Sequence, residues 1–194
     1  MTDRLTAQMA FLHEADKLKN VNRATLVRDS LRRENSAEHS WHLALYALVL
    51  SEHAPDGIDP HRVIKMALLH DLVEIDAGDT PVFGDFDATA QAASEQAAAD
   101  RLFGLLPADQ AADLRALWDE FEANQTLDAR FAKSLDRFVA PNQNMLTGGG
   151  SWVEYNVTFD AFAERIGKKV DAGAPRLWSW LKPRAQAFFA TLRP

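Results

Sequence analysis

The amino-acid sequence predicts an all-α fold, a helical bundle in a single domain. Apolar residues recur every three or four positions along most of the chain. No alternating run reaches useful strand length, and no internal repeat or low-complexity linker marks a domain boundary. With 194 residues, 47% of them hydrophobic and 25% charged, the chain can bury a sizeable core without staples.

Leu5, Met9, Leu12, Ala15 and Leu18 fall at helical spacing and predict a first helix over 4–18. The next segment, KNVNRATLVRDSLRRENS, has no clean period and reads as a long loop, of the kind that is often functional. It carries Arg23, Arg28, Arg32 and Arg33 in an otherwise acidic protein. Ser36 is the expected N-cap of a second helix over 36–52. Leu43, Leu45, Ala47, Leu48 and Leu50 cover most of its circumference, which predicts a central helix buried on several sides. APDGIDP is a turn, and Asp59 caps a third helix with Pro60 at its first position. That helix is expected to stop near Ala77 and Gly78, where glycine suits the C-cap. After the loop GDTPVFGDFD come helices over 88–106, 109–124 and 127–145, a hinge at TGGGSW, and two last helices over 159–170 and 175–192.

Composition excludes several function classes. A formal net charge of -7 argues against binding a nucleic-acid polymer, which needs basic surface. It leaves a small anionic substrate open, because a bound divalent cation reverses the local field. There is no cysteine, hence no disulfide, thiolate nucleophile or Cys-type zinc site. No run approaches the ~18 apolar residues of a membrane span. The start, MTDRLTAQMA, lacks the apolar stretch of a signal peptide, so a cytoplasmic protein is expected.

The chemistry concentrates in residues 68–81, LLHDLVEIDAGDTP. The apolar run Ile64, Met66, Ala67, Leu68, Leu69 leads straight into His70 and Asp71, where charge is costly unless paired, hydrogen-bonded or bound to a metal. Imidazole plus carboxylate suits Zn, Fe, Mn, Co or Ni. Glu74 shares their helical face and is placed as a further ligand or as a general acid or base on a bound water. Candidate ligands lie on other helices: His39 one turn into the second, with His42 near the same face, and Asp136 interrupting the stripe of Phe131, Leu135 and Val139. Each alone is more often a cap, a surface group or a core hydrogen bond; together they make one coherent set.

His39, then His70-Asp71, then Asp136 resemble the order H…HD…D of the HD superfamily of metal-dependent phosphohydrolases. NRATLVRD, RENSAEHSWHLAL, ALLHDLVEIDAGDTP and LDRFVAPNQN are similar to its bacterial 5'-deoxynucleotidase-like branch and to related eukaryotic HD-domain proteins, over about residues 18–156. The resemblance implies an all-α fold over 1–194, with the metal-site core over 18–156 and C-terminal helices over 158–193 packed on it. It implies one divalent ion (Mn, Co, Fe, Ni, Zn or Mg) on His39, His70, Asp71 and Asp136. Glu74 matches the acidic residue that handles the attacking water, Arg23 an arginine that grips the substrate phosphate, and Asp79 an acidic residue of the same pocket. Thr80 adds a hydroxyl contact or is simply the turn residue before Pro81.

The implied activity is hydrolysis of a small phosphorylated metabolite, a nucleoside or deoxynucleoside 5'-monophosphate, by a homodimer. Alternatives are another phosphorylated substrate (nucleoside triphosphate, alarmone, sugar or cofactor phosphate) or a non-catalytic nucleotide sensor. One position departs from the family pattern: a Trp that senses the sugar follows the arginine in deoxynucleotidases, and here the residue is Ala24. Selectivity for 2'-deoxy sugars is thereby left open. None of the six histidines follows His70, whereas dinuclear members need further histidines there. One metal is expected, not two.

Overall fold

The structure, a computed structural model, describes residues 3–30 and 32–192. Residues 1, 2, 31, 193 and 194 fall within the expected domain, loop and C-terminal segment but lie outside the described residues. The fold is all-α, a helical bundle, as the periodicity predicts.

Helix α1 (Arg4–Ala15) passes through a 3-10 turn into an antiparallel hairpin of β1 (Asn22–Leu26) and β2 (Arg33–Asn35). Asn22 pairs with Asn35 and Leu26 with Arg33, with a bulge between. The sequence reading had a loop here. β2 is only three residues long and β1 is bulged, so neither shows a readable alternation.

The N-cap of helix α2 (Ser36–Leu50) falls one residue earlier than expected. Asn35 is the N-cap: its side chain accepts from the Glu38 N–H at 3.0 Å, and the Glu38 carboxylate accepts from the Asn35 N–H at 3.1 Å. Ser36 is thus free for another partner. Nor is α2 central. Trp41, Leu45, Leu48 and Val49 remain exposed on its outer face. An apolar circumference calls for cover on every side, and the bundle covers one side of α2, chiefly through α3 and α7.

Helix α3 (Pro60–Leu69) has the expected Asp59 cap and proline start. It does not run unbroken to Ala77. From Leu69 the N–H groups of Leu72, Glu74, Ile75 and Asp76 bond three residues back instead of four. The tighter winding separates α3 from α4 (Glu74–Ala77) and eclipses residues three apart, so Asp71 and Glu74 point the same way. Gly78, at φ 75°, ends the turn in a conformation that favours glycine.

Helices α5 (Ala88–Phe103) and α6 (Ala108–Ala123) follow, the first capped by Asp87. The central helix is α7 (Leu127–Leu146), capped by Thr126. Phe131, Leu135 and Val139 are buried on it, and it packs against β1, α2, α3 and α6. Gly148, Gly149 and Gly150 all take positive φ and turn the chain into α8 (Ser151–Glu154). Helix α9 (Phe159–Phe162) continues through one π turn into α10 (Lys168–Gly173), before α11 (Pro175–Thr191) closes the bundle. Gly173 is required by contact: a Cβ there would lie 2.3 Å from the Arg130 carbonyl oxygen of α7. Among the described residues no helix is long and apolar enough to cross a membrane.

Candidate metal centre

Three of the four expected ligands, His39, His70 and Asp136, meet from three directions, and Asp71 lies beside them with one oxygen hydrogen-bonded to Arg23. His39 comes from the second turn of α2, His70 and Asp71 from the end of α3, and Asp136 from the middle of α7. One ligand atom each from His39, His70 and Asp136 lie within 4.8 Å of one another. His39 Nε2 is 3.0 Å from Asp136 Oδ1 and 4.0 Å from Asp71 Oδ2. His70 Nε2 is 3.9 Å from Asp136 Oδ1. It also lies 2.9 Å from Asp71 Oδ1, but off the line of a hydrogen bond. All four residues are buried, His39 completely.

Glu74, Arg23, Asp79 and Thr80 surround this point. Ser36 donates its hydroxyl to Glu74 Oε2 at 2.6 Å. Arg23 comes from β1 and donates from Nη1 to Asp71 Oδ2 at 2.9 Å, with Asp79 Oδ1 at 3.5 Å and Glu74 Oε1 at 3.8 Å. Thr80 lines the two cavities that meet here, together with Arg23, Asp79, Asp136 and Arg137. Ala24 lines one of them, beside Phe83 and Tyr155.

Four carboxylates crowd around one buried guanidinium, and their protonation reflects it. Burial and then Asp71 push Glu74 up to about 9, Arg23 only partly opposing them. Asp79 is raised by burial, against the pull of Arg23. Burial works against the His70 imidazolium, but Asp71 outweighs it and lifts the pKa to about 9. Asp71 is held down at about 2, His70 and Arg23 overcoming its burial. Asp136 is held well below the usual range, Arg137 and His39 overcoming its burial. Asp71 and Asp136 are ionised beside Arg23 and His70, while Glu74 and Asp79 are pushed toward their neutral forms, the mark of a cluster short of positive charge that a divalent cation would supply.

The donor set fits such an ion. His70 Nδ1 hydrogen-bonds the Ala67 carbonyl oxygen at 2.9 Å, which fixes the ring and leaves Nε2 buried with no hydrogen-bond partner, aimed at the cluster. Two imidazoles and two carboxylates without thiolate suit a borderline or hard divalent metal.

Other candidates fall outside. His42 stacks at the edge of Tyr46, 4.8 Å between rings, and belongs to no ligand group. Arg28 is exposed beside Asp29, Arg32 pairs with Glu38, and Arg33 with Glu154. Of the four arginines of that segment, Arg23 reaches the site. Asp76, crowded into the same stretch, pairs with Arg101 at 2.8 Å, away from the cluster. Trp152 is buried and stacked on Phe189 at 4.4 Å.

Three participants escaped sequence reasoning. Ser36 was assigned to capping. Glu34, 3% exposed, lies behind His39 in a segment that read as loop. Arg137, next to Asp136, borders both cavities and is not among the sequence candidates. The only advance signal was their adjacency to Asn35 and Asp136.

A model of the HD domain matches residues 15–178. Human 5'-deoxynucleotidase HDDC2 is 30% identical over 130 residues, 66% of this chain and 62% of that protein. The match thus spans less than two thirds of that relative's length. A 5'-deoxynucleotidase of Erwinia tasmaniensis is 30% identical over 155 residues, 71% of this chain and 77% of its own. A crystal structure described as a predicted metal-dependent phosphohydrolase, from Magnetospirillum magnetotacticum MS-1, is 46% identical, covers 97% of this chain and 94% of its own, and superposes with a TM-score of 0.87.

Proposed function

Because the chain belongs to the HD-domain family, we propose that it is a metal-dependent phosphomonoester hydrolase acting on nucleoside or deoxynucleoside 5'-monophosphates. One observation carries the proposal: His39, His70 and Asp136 bring ligand atoms within 4.8 Å of one another, with Arg23 and Glu74 at the same point. The nucleotide substrate is taken from the relatives' names.

His39, His70, Asp71 and Asp136 would hold one divalent ion, of identity Mn, Co, Fe, Ni, Zn or Mg. The ion, when bound, supplies Lewis-acid polarisation of phosphate and a water that ionises near neutral pH. With the charge of the bound ion drawing its raised pKa back down, Glu74 would accept the proton of the attacking water on Oε1, while Ser36 holds Oε2 in place. Arg23 binds phosphate oxygens and offsets the negative charge that develops on them. Asp79 steadies Arg23, and Thr80 offers a hydroxyl at the rim of the cavity. The sugar lies against Ala24.

A second reading, a substrate with an additional phosphate, is favoured by a basic groove beside the site. Lys133 and Arg137 line both the groove and the metal-side cavity, and Lys169 adds a third cation. The Lys169 pKa is lowered by burial and by Arg137 and Lys133. We include homodimer formation and a cytoplasmic setting in the proposal. The exposed Trp41, Leu45, Leu48 and Val49 of α2 are apolar surface that a second copy would cover.

The test is metal analysis of the purified protein with a phosphate-release panel in Mn, Co, Mg and Zn. The panel compares ribo- and deoxyribo-monophosphates, di- and triphosphates, and sugar phosphates. Release from a monophosphate supports the proposal, and preference for a di- or triphosphate supports the second reading. No release from any member by metal-loaded protein leaves a nucleotide sensor.

A further inference from the structure

We propose that Glu34 is a positioning residue that fixes the ring of His39, and with it the direction of Arg23. The inference rests on the reading of His39 as a metal ligand.

Glu34 sits on β2, 3% exposed. Its Oε1 accepts from Gln143 Nε2 at 2.7 Å. Its Oε2 is buried without a hydrogen-bond partner. The nearest cationic or imidazole nitrogens are His39 Nδ1 at 3.7 Å and Arg23 Nε at 3.8 Å. Both of these atoms are themselves buried and unpaired. Three buried orphans therefore face one another: an acceptor able to take two hydrogen bonds, and two nitrogens able to donate one each. Buried polar groups are rarely left so. A small side-chain rotation brings either pair within the ordinary hydrogen-bond range.

The two histidines explain why a carboxylate is needed. His70 has its Nδ1 fixed by the Ala67 carbonyl, a bond within its own helix. His39 has no such carbonyl on its Nδ1; Glu34 stands in its place. A hydrogen bond from Nδ1–H to a carboxylate leaves the lone pair on Nε2, the nitrogen 3.0 Å from Asp136. Glu34 lies on the Nδ1 side of the ring and so is not itself a ligand. Its backbone is held firmly: Asn35 and Glu38 form the capping box of α2, and Arg33 pairs with Glu154. Gln143, seven residues beyond Asp136 on α7, shares its face. The same carboxylate thus ties the hairpin bearing Arg23 to the helices bearing His39 and Asp136.

Glu34→Gln is the decisive variant, because it keeps shape and volume. Its amide can still accept from Gln143, but it presents N–H groups to His39 Nδ1 and favours the opposite tautomer. Imidazole ¹⁵N spectra of the metal-free proteins at pH 8, and titration of each with Zn or Mn, test the proposal. Glu34→Gln should lose the Nδ1–H form of His39 and bind metal about 10–100-fold more weakly, at an unchanged melting temperature to within a few degrees. At saturating metal its KM should rise several-fold as Arg23 loses its anchor. An unchanged tautomer with unchanged metal affinity overturns the proposal, and an unchanged KM removes Arg23 from it. A wild-type protein that binds no divalent ion would instead sink the proposed function, while the spectra still decide the role of Glu34.

Discussion

Ser36 and Glu74 are joined across the site by a hydrogen bond of 2.6 Å, from the first residue of α2 to the first residue of α4. A serine expected to cap a helix instead fixes one oxygen of a carboxylate that stands outside the proposed ligand set. The other oxygen lies 3.8 Å from Arg23 Nη1.

Ser36→Ala should therefore slow turnover without loss of fold. A hydrogen bond to a charged group is worth about 1.5–3 kcal/mol, which sets a loss in kcat of about 10–100-fold if all of it serves positioning. Glu74→Ala should abolish turnover with metal still bound. Steady-state rates at saturating metal check both, and an unchanged kcat in Ser36→Ala would place the bond outside catalysis.

Ala24 lines the cavity next to Arg23, and a methyl there can neither stack on a ribose nor exclude its 2'-hydroxyl. The wild-type protein should discriminate between ribo- and deoxyribo-monophosphates by less than about tenfold in kcat/KM, about 1.4 kcal/mol. Ala24→Trp should raise the preference for the deoxy substrate. Competition assays with paired nucleotides read it directly; strong deoxy selectivity in the wild type would assign that role to another residue.

The exposed apolar face of α2 predicts assembly. Leu48→Lys, at a residue 61% exposed, should shift the protein toward monomer in light scattering at micromolar concentration and leave its melting temperature nearly unchanged. A monomeric wild type would remove the homodimer from the proposal.

Away from the site, Glu120 accepts from Thr126 at 2.6 Å and pairs with Arg62, joining the end of α6 to the cap of α7. The Arg62 hydrogen bond holds the Glu120 carboxyl below its ordinary pKa of 4.5. A depressed carboxylate pKa contributes stability that is complete above 4.5 and is lost as pH falls through the folded value. Arg62 is 42% exposed, so the contribution is modest, about 0.5–1 kcal/mol. Denaturant titrations of wild type and Glu120→Gln should differ by that much at pH 7 and converge toward pH 3. A gap independent of pH would assign the effect to packing.

His39, His70, Asp71 and Asp136 were legible because each interrupts an apolar helical face, where an unpaired polar group is costly. The break after Leu69 was not legible, since no glycine or proline marks it; it follows from tertiary packing around the cluster. The hairpin was hidden by a three-residue strand and a bulge. Glu34 looked like a solvated loop residue, and the partner of Asp76, Arg101, lies 25 residues away on another helix. Such pairings are decided by the assembled bundle.

The most direct test of the central claim is phosphate release by wild-type protein and Asp136→Asn, each with its metal content measured. Wild-type protein should carry one divalent ion per chain and release phosphate from a nucleoside 5'-monophosphate, and Asp136→Asn should lose both the ion and the activity. Undiminished release by metal-free Asp136→Asn, or none from any phosphate ester by fully loaded wild type, would contradict the account.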